Sequence, residues 1–255
     1  MKNDYILFID SGVGGLTTLA ETHKILPANY IYFADNNNAP YGNHSKDEIL
    51  RFIIQIILQV QQKYTIKMVV LACNTATTAT IAELRTLFNF PIVGTEPAIR
   101  LAKNKGFSKI CALTTPTTKK QSQYKSLKKQ LNTNIKTISI PSFAQNIEKF
   151  TLSPNLINYI FVLQNVCQAL SLSKNNDVIV LGCTHYVLIK NIFKKFTNKD
   201  IIDGNFGVAK QILTKHFHSI KTPLEKNKIV FMFSHLTTFV KQNYQKIFGQ
   251  ILANL

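Results

Sequence analysis

Two stretches of this chain end an apolar run in a cysteine. Residues 68–75 read MVVLACNT and residues 178–185 read VIVLGCTH. In each, aliphatic side chains give way to a small residue, then Cys73 or Cys183, then small or polar side chains. A buried parallel strand meets a ligand site in this way, because the carboxyl ends of such strands are the usual binding side. A free thiol has a pKa of about 8.5, so modest tuning lets it act as thiolate or thiol near neutrality. Two thiols on opposite faces of one carbon could remove a proton from one side and return one on the other. That inverts a stereocentre without a cofactor. His185, two residues beyond Cys183, and Asp10, at the end of another apolar run, are candidate partners for adjusting the two protonation states.

Other readings of the thiols stand beside this one. A cysteine in an apolar segment is usually a small core residue, which is the expectation for Cys111 and Cys167. Two thiolates with His185 would supply three metal ligands, but Asn74, Thr75 and Thr184 are poor ligands and nothing is spaced for a fourth. No metal is therefore expected. A single nucleophilic thiol accounts for one cysteine and leaves the matched pair unexplained.

The elements that must hold these residues alternate between strand and helix. Tyr5 to Ile9 is a short apolar run without alternation, the pattern of a central buried strand. It ends in Asp10-Ser11-Gly12-Val13-Gly14-Gly15, and Leu16 to Ile25 then reads as a helix. A strand, a Gly-rich turn and a helix can hold an anion on backbone N–H groups. The turn lacks the third glycine of a dinucleotide fingerprint and the GK[ST] ending of a P-loop. Tyr30 to Phe33 is a second strand, followed by the polar loop DNNNAPYG. Ser45 and Glu48 have capping-box spacing ahead of a helix. The first cysteine strand precedes a helix from about Thr77 to Phe88. Pro91 to Val93 is a short strand, and Pro97 suits the first turn of the next helix. Lys109 to Leu113 is a strand leading into Thr114-Thr115-Pro116-Thr117-Thr118 and a helix to about Gln130. Ile135 to Ile140, Asp177 to Leu181, Ile201-Ile202 and Ile229 to Phe233 complete the strands. Helices are expected around Glu148, from Pro154 to Leu172, from Tyr186 to Phe196, after Gly204 and at the end of the chain.

This alternation indicates an α/β fold with mostly parallel sheets flanked by helices. The second part echoes the first, so two pseudo-symmetric lobes are expected, with the active site between them. The cuts place residues 1–96 in lobe one, completed by 207–255 returning to it, and 97–206 in lobe two.

The bulk numbers are compatible with this. The chain has 255 residues, 45% of them apolar, enough for a sizeable core. Charged residues make up only 17%, which argues against wholesale disorder. The formal net charge of +17 rests mainly on lysine, with pairs at Lys119-Lys120, Lys128-Lys129 and Lys194-Lys195. Without an Arg-rich arm or an aromatic–basic platform, nucleic acid is not the expected partner. Four cysteines without CxxC spacing point to reduced thiols and a cytoplasmic setting. The apolar run before Asp10 is too short for a signal peptide, and no segment is expected to cross a membrane.

Asp10-Ser11-Gly12-Val13-Gly14-Gly15, Pro40-Tyr41-Gly42, Ala72-Cys73-Asn74-Thr75 and Gly182-Cys183-Thr184-His185 together resemble the motifs of the glutamate racemases, in the cofactor-independent aspartate/glutamate racemase superfamily. The resemblance covers nearly the whole chain in the family's order. It implies interconversion of L- and D-glutamate, supplying D-glutamate for peptidoglycan, with no cofactor. By resemblance, Cys73 deprotonates D-glutamate and Cys183 deprotonates L-glutamate. Substrate contacts are implied for Asp10, Ser11, Tyr41, Gly42, Asn74, Thr75, Thr115, Thr118, Thr184 and His185, and Glu148 matches an acid that tunes one side of the pocket. Hydroxyls, amides and backbone N–H groups suit the carboxylates of an amino acid, while Asp10 or Glu148 could hold its ammonium. Ordinary turn and N-cap chemistry is the competing reading for Ser11 and the threonines. A homodimer is compatible with the resemblance. Alternatives are racemisation of aspartate or another small acid, and a non-catalytic binding relative that uses its basic surface. The chain departs from the family pattern at Thr114, where a glycine is usual, and at Phe233-Ser234-His235-Leu236.

Overall fold

The computed structural model describes residues 4–217, 228–235 and 238–254, so Leu236 lies outside the described residues. In chain order the elements begin β1 (Asp4–Asp10), α1 (Leu16–Ile25), β2 (Asn29–Ala34), α2 (Lys46–Gln61), β3 (Thr65–Leu71), α3 (Asn74–Leu87) and β4 (Ile92–Gly94). Then come α4 (Ile99–Asn104), β5 (Lys109–Thr114), α5 (Pro116–Lys120), α6 (Ser122–Leu131), β6 (Asn134–Ile138), α7 (Phe143–Leu152) and α8 (Leu156–Leu172). The last are β7 (Val178–Gly182), α9 (Thr184–Leu188), α10 (Lys190–Phe196), β8 (Asp200–Ile202), α11 (Asn205–Phe217), β9 (Ile229–Phe233) and α12 (Thr238–Ala253). Short 3-10 turns at Asn36–Asn38 and Tyr41–Asn43 occupy the polar loop after β2.

The chain divides into two compact units, residues 1–95 with 205–255, and residues 96–204. The first holds a five-stranded sheet in the order β4-β3-β1-β2-β9, and the second a four-stranded sheet in the order β6-β5-β7-β8. Every pairing in both is parallel. Parallel strands buried on both faces read as continuous apolar runs, which is why β1, β2 and β3 show no alternation.

In the first unit, Leu7, Ile9, Ile31, Phe33, Val69 and Leu71 face α2 and α3 in one core cluster. Helix α2 contributes Ile49, Ile53, Ile56, Ile57 and Val60, a stripe at helical spacing. Its start is fixed by a complete capping box. Ser45 Oγ accepts from Glu48 N, and Glu48 Oε2 accepts from Ser45 N at 2.8 Å. In the second unit the strands alternate strictly. Cys111, Leu113, Ile179 and Leu181 face α7, α8 and α9, while Ile110, Ala112, Val178 and Val180 face α4 and α6. No helix among the described residues is long and apolar enough to cross a membrane.

Several local expectations need correction. The helix after the first cysteine starts at Asn74, not near Thr77, so Cys73 is its N-cap. Cys183 likewise caps α9. After β3 the freed Leu71 carbonyl accepts from the Thr77 and Thr95 hydroxyls, and neither α3 nor α9 has a side-chain cap. The helices predicted over Tyr186 to Phe196 and from Pro116 to Gln130 are each broken, at Ile189 and at Gln121. Strand β6 stops at Ile138, short of Ile140, and Ser142 then takes a left-handed conformation with φ 59°. Pro97 precedes the N-cap Ala98 and does not occupy the first turn of α4. Cys111 is a core residue, and burial pushes its thiol up to about 12. Cys167 is not in the core: it lies on the exposed side of α8, whose buried side is Val162, Val166 and Ala169.

Candidate active site

In an open parallel sheet the ligand crevice lies where the strand order reverses. In the five-stranded sheet the chain leaves β1 for β2 on one side and later fills β3 on the other, so the reversal lies between β1 and β3. In the four-stranded sheet it lies between β5 and β7 for the same reason. Asp10 and Cys73 stand at the first of these points, and Thr115 and Cys183 at the second.

In the first unit, Asp10 ends β1 as a wholly buried carboxylate whose Oδ1 accepts from Gly12 N at 2.7 Å. The chain after β3 is tied alongside by Ala72 N donating to Ile9 O at 2.8 Å. Gly15 fits between them: a Cβ there would stand 2.8 Å from both Ala72 Cβ and Asp10 Cβ. Ser11 is buried next to Asp10, and Tyr32 Oη fixes the turn by donating to Gly12 O at 2.7 Å.

Cys73 opens α3, and the helix dipole favours negative charge at that end. Leu71 O, at the end of β3, accepts from Thr95 Oγ1 at 2.8 Å and from Thr77 Oγ1 at 3.2 Å, which braces the turn that carries the thiol. Asn74 Nδ2 donates to Thr95 O at 3.2 Å, while its buried Oδ1 has no hydrogen-bond partner among the described residues. A buried acceptor left unpaired costs about 1–3 kcal/mol, a cost removed when a ligand N–H reaches it. Thr75 is buried in the same first turn.

Tyr41, in the Tyr41–Asn43 turn with Gly42, is buried and donates its hydroxyl to Asp35 Oδ2 at 2.8 Å. Asn38 Nδ2 holds both oxygens of Asp35, at 3.0 and 3.1 Å. Burial first, then the Asp35 carboxylate, push the Tyr41 phenol well above its ordinary value. Cys73 and Asp10 add to the effect, which puts this hydroxyl in their electrostatic reach.

In the second unit, Cys183 Sγ lies 3.9 Å from His185 Nδ1, and His185 Nε2 lies 2.6 Å from Glu148 Oε2. Glu148 comes from α7, which packs against α8 and α9 over the apolar face of the sheet. Burial alone would lower the His185 pKa. The hydrogen bonds to Cys183 and Glu148, with their charges, outweigh it and hold the pKa well above the usual histidine value. A protonated ring there would donate to sulfur on one side and to the carboxylate on the other.

Thr184 is buried beside the thiol. On the adjacent strand, Thr115 is the N-cap of α5: its Oγ1 accepts from Thr118 N at 3.2 Å and donates to Thr118 Oγ1 at 2.9 Å. Cap chemistry therefore accounts for the position of Thr115. Thr114 is fully buried and reaches Ser139 Oγ at 3.2 Å. Its methyl occupies space that Gly182 leaves, since a Cβ on Gly182 would stand 2.9 Å from Thr114 Cγ2.

The first unit thus gathers Asp10, Ser11, Tyr41, Gly42, Cys73, Asn74 and Thr75, and the second gathers Cys183, Thr184, His185 and Glu148 with Thr115 and Thr118 one strand away. Among the described residues no group of three or more His, Cys, Asp or Glu side chains is arranged to hold a metal ion. The Asp/Glu/Hydantoin racemase family matches residues 13–211.

The chain belongs to the Asp/Glu/hydantoin racemase family.

Among family relatives, it is 38% identical over 220 residues to a glutamate racemase of Clostridium botulinum (strain Alaska E43 / Type E3), covering 83% of each chain. It is 33% identical to the glutamate racemase of Fusobacterium nucleatum, covering 98% of this chain and 96% of that one. A crystal structure of a glutamate racemase isoform from Bacillus anthracis superposes with a TM-score of 0.84 at 29% identity, covering 98% of this chain and 95% of that one.

Three residues of the racemase fold escaped sequence reasoning. Asp35 directly follows β2, beside the end of β1, with Asp35 N donating to Asp10 O at 2.8 Å. The signal was available, since an acid closing an apolar run is what singled out Asp10. Thr95 braces the cysteine turn from β4, and only the sheet order reveals it. Tyr186 is stacked on Phe143 with ring centroids 4.7 Å apart, and burial first, then Cys183, hold its phenol well above the ordinary range.

Proposed function

We propose that this protein interconverts L- and D-glutamate by cofactor-independent proton transfer, with Cys73 and Cys183 as the two bases. The observation that carries the reading is the matched placement of a thiol at each reversal of strand order, each capping a helix. The named relatives support glutamate as the substrate.

The reaction requires both sulfurs at one α-carbon, in opposite protonation states. Starting from D-glutamate, the Cys73 thiolate takes the α-proton and becomes a thiol. The Cys183 thiol delivers its proton to the opposite face, leaving a thiolate and L-glutamate. The reverse direction exchanges the roles, and no net proton is consumed. His185 donates to the Cys183 sulfur and is held by Glu148, so charge on that thiolate is balanced as it forms. On the other side, Asp10 and the Tyr41–Asp35 pair surround Cys73, and the unpaired Asn74 Oδ1 is an acceptor for the substrate ammonium. Ser11, Gly42, Thr75, Thr118 and Thr184 supply hydroxyl and N–H groups for the carboxylates, and Thr115 holds Thr118. In the cell the reaction would run in the cytoplasm and supply D-glutamate for peptidoglycan.

Purified protein is incubated with L-glutamate in deuterium oxide without added cofactor. D-glutamate carrying deuterium at the α-carbon is the expected product, and aspartate in parallel tests side-chain length. Absence of both D-glutamate and α-exchange would refute the proposal. Cys73→Ser and Cys183→Ser should each abolish racemisation, and full activity in both would refute the two-thiol mechanism.

A further inference from the structure

The residue at which the chain leaves the first unit is held by its own side chain. Strand β4 is three residues long and lies at the edge of its sheet, and its last pairing with β3 sets Gly94 opposite Leu71. Thr95 comes next, and the residue after it already belongs to the second unit. A chain leaving a sheet edge in this way tends to fray, yet Thr95 is buried. Its Oγ1 donates to Leu71 O at 2.8 Å, and its N–H is shared between Leu71 O at 3.1 Å and Thr77 Oγ1 at 3.0 Å. Gly94 permits this approach, because a Cβ there would run into Thr77 Cγ2 and stand 2.6 Å from Ile81 Cδ1.

The bracket fixes a carbonyl. Thr95 O accepts from Asn74 Nδ2 at 3.2 Å. An asparagine amide has two ends of similar shape, one a donor and one an acceptor, and turns between two orientations about its last torsion. With Nδ2 committed to Thr95 O, the end left over is Oδ1. That atom is buried and unpaired among the described residues, on the residue that opens α3 next to Cys73. A buried acceptor without a partner calls for a donor, and an ammonium on the α-carbon of a ligand is one. Turned over, the same amide would offer N–H groups to that ammonium, and the site would lose its preference for an amine.

We propose that Thr95 is a positioning residue that makes the site select an amino acid over the corresponding deamino acid, by fixing the Asn74 amide with its oxygen toward the substrate ammonium. The inference rests on the glutamate reading above and assigns the origin of its preference for an amine. Leu71 O stays bound through Thr77 Oγ1 at 3.2 Å and through Thr95 N when the Thr95 hydroxyl is removed, so the turn that carries Cys73 keeps its brace. The effect of the hydroxyl therefore falls on Thr95 itself and, through its carbonyl, on Asn74.

The test uses the full chain and two ligands, L-glutamate and glutarate, which is glutamate without its amine. Dissociation constants for both are measured by titration calorimetry in the wild type, Thr95→Val and Thr95→Ser. Valine keeps the branched shape and deletes the hydroxyl, while serine keeps the hydroxyl. Thr95→Val should weaken L-glutamate about 3- to 10-fold, the range for one hydrogen bond, and leave glutarate within about 2-fold of the wild type. The KM for L-glutamate should rise by a larger factor than kcat falls. Thr95→Ser should keep the wild-type ratio of the two affinities. Thr95→Val added to Asn74→Ala should weaken L-glutamate no further, because its route runs through that amide. Equal loss of both ligands in Thr95→Val, or an unchanged ratio between them, would overturn the proposal. So would a serine variant that behaves like the valine one, or additive losses in the double variant. A wild type that neither binds nor racemises L-glutamate would instead refute the glutamate reading itself.

Discussion

Replacing Glu148 with glutamine isolates the second unit's proton chain. The change keeps the shape and an acceptor oxygen near His185 Nε2, but it removes the negative charge that now sits 2.6 Å from that nitrogen. The two side chains are only 11% and 21% exposed, so water screens them weakly. A hydrogen bond to a charged group in such a setting contributes about 1.5–3 kcal/mol. If half or more of that is lost in the transition state, turnover falls roughly 4- to 160-fold. The effect must take a particular form. L- and D-glutamate have equal free energies, so kcat/KM falls by the same factor in both directions. The asymmetry appears in isotope effects: the step at Cys183 becomes slower, so α-deuterated L-glutamate shows a larger effect than in the wild type and α-deuterated D-glutamate a smaller one. Wild-type rates, or isotope effects that move the opposite way, would refute the assignment of His185 and Glu148 to Cys183.

The same substitution has a pH signature. Burial favours neutral His185, and the partners at Cys183 and Glu148 overcome it to raise the pKa. Removing the Glu148 charge takes away part of that opposition while burial remains, so the pKa falls. The alkaline limb of the rate profile should move to lower pH in the variant. For stability, a raised folded-state pKa gives a contribution that is complete below the free histidine value of about 6.5 and is lost as pH rises through the raised value. Wild type and variant should therefore differ most in melting temperature below about pH 6.5 and converge at alkaline pH.

Three other substitutions test the scaffold. Gly15→Ala places a methyl 2.8 Å from Ala72 Cβ and Asp10 Cβ, so a loss of about 1–3 kcal/mol is expected in denaturant melts, with a fall in kcat as Asp10 and the Cys73 turn are pushed apart. Ser45→Ala removes the side-chain cap of α2 and should cost about 1 kcal/mol with kcat unchanged, since the cap touches neither cysteine. Tyr41→Phe deprives buried Asp35 of its hydroxyl donor; a loss of about 1–3 kcal/mol in chemical denaturation together with reduced kcat/KM is expected, and unchanged values of both would remove Tyr41 from the site.

The sequence was most legible where one physical cause dominated. Strands buried on both faces leave no choice of period, so β1, β2, β5 and β7 were placed to within a residue or two, while β3 begins at Thr65, ahead of the apolar run at Met68, and the Ser45–Glu48 spacing marked the start of α2. Boundaries failed where local side chains competed with the run. Helix α3 starts directly after Cys73, and nothing in the apolar run announces that. Cys167 was misplaced because α8 is apolar on both sides, so composition could not tell the buried face from the exposed one.

The site was legible as a set of residue types and only partly as a set of contacts. Cys73, Asp10 and Cys183 stand at strand ends, which a linear pattern can mark. The bond between His185 and Glu148 joins residues 37 positions apart on α9 and α7, and the one between Tyr41 and Asp35 depends on how a polar loop folds back on itself. Neither follows from periodicity. These contacts give the two thiols unequal surroundings, one beside a histidine whose pKa is held up by its partners and one at the mouth of a long helix. The proposed two-thiol reaction would need that inequality, because one sulfur would have to hold a proton while the other lacks it.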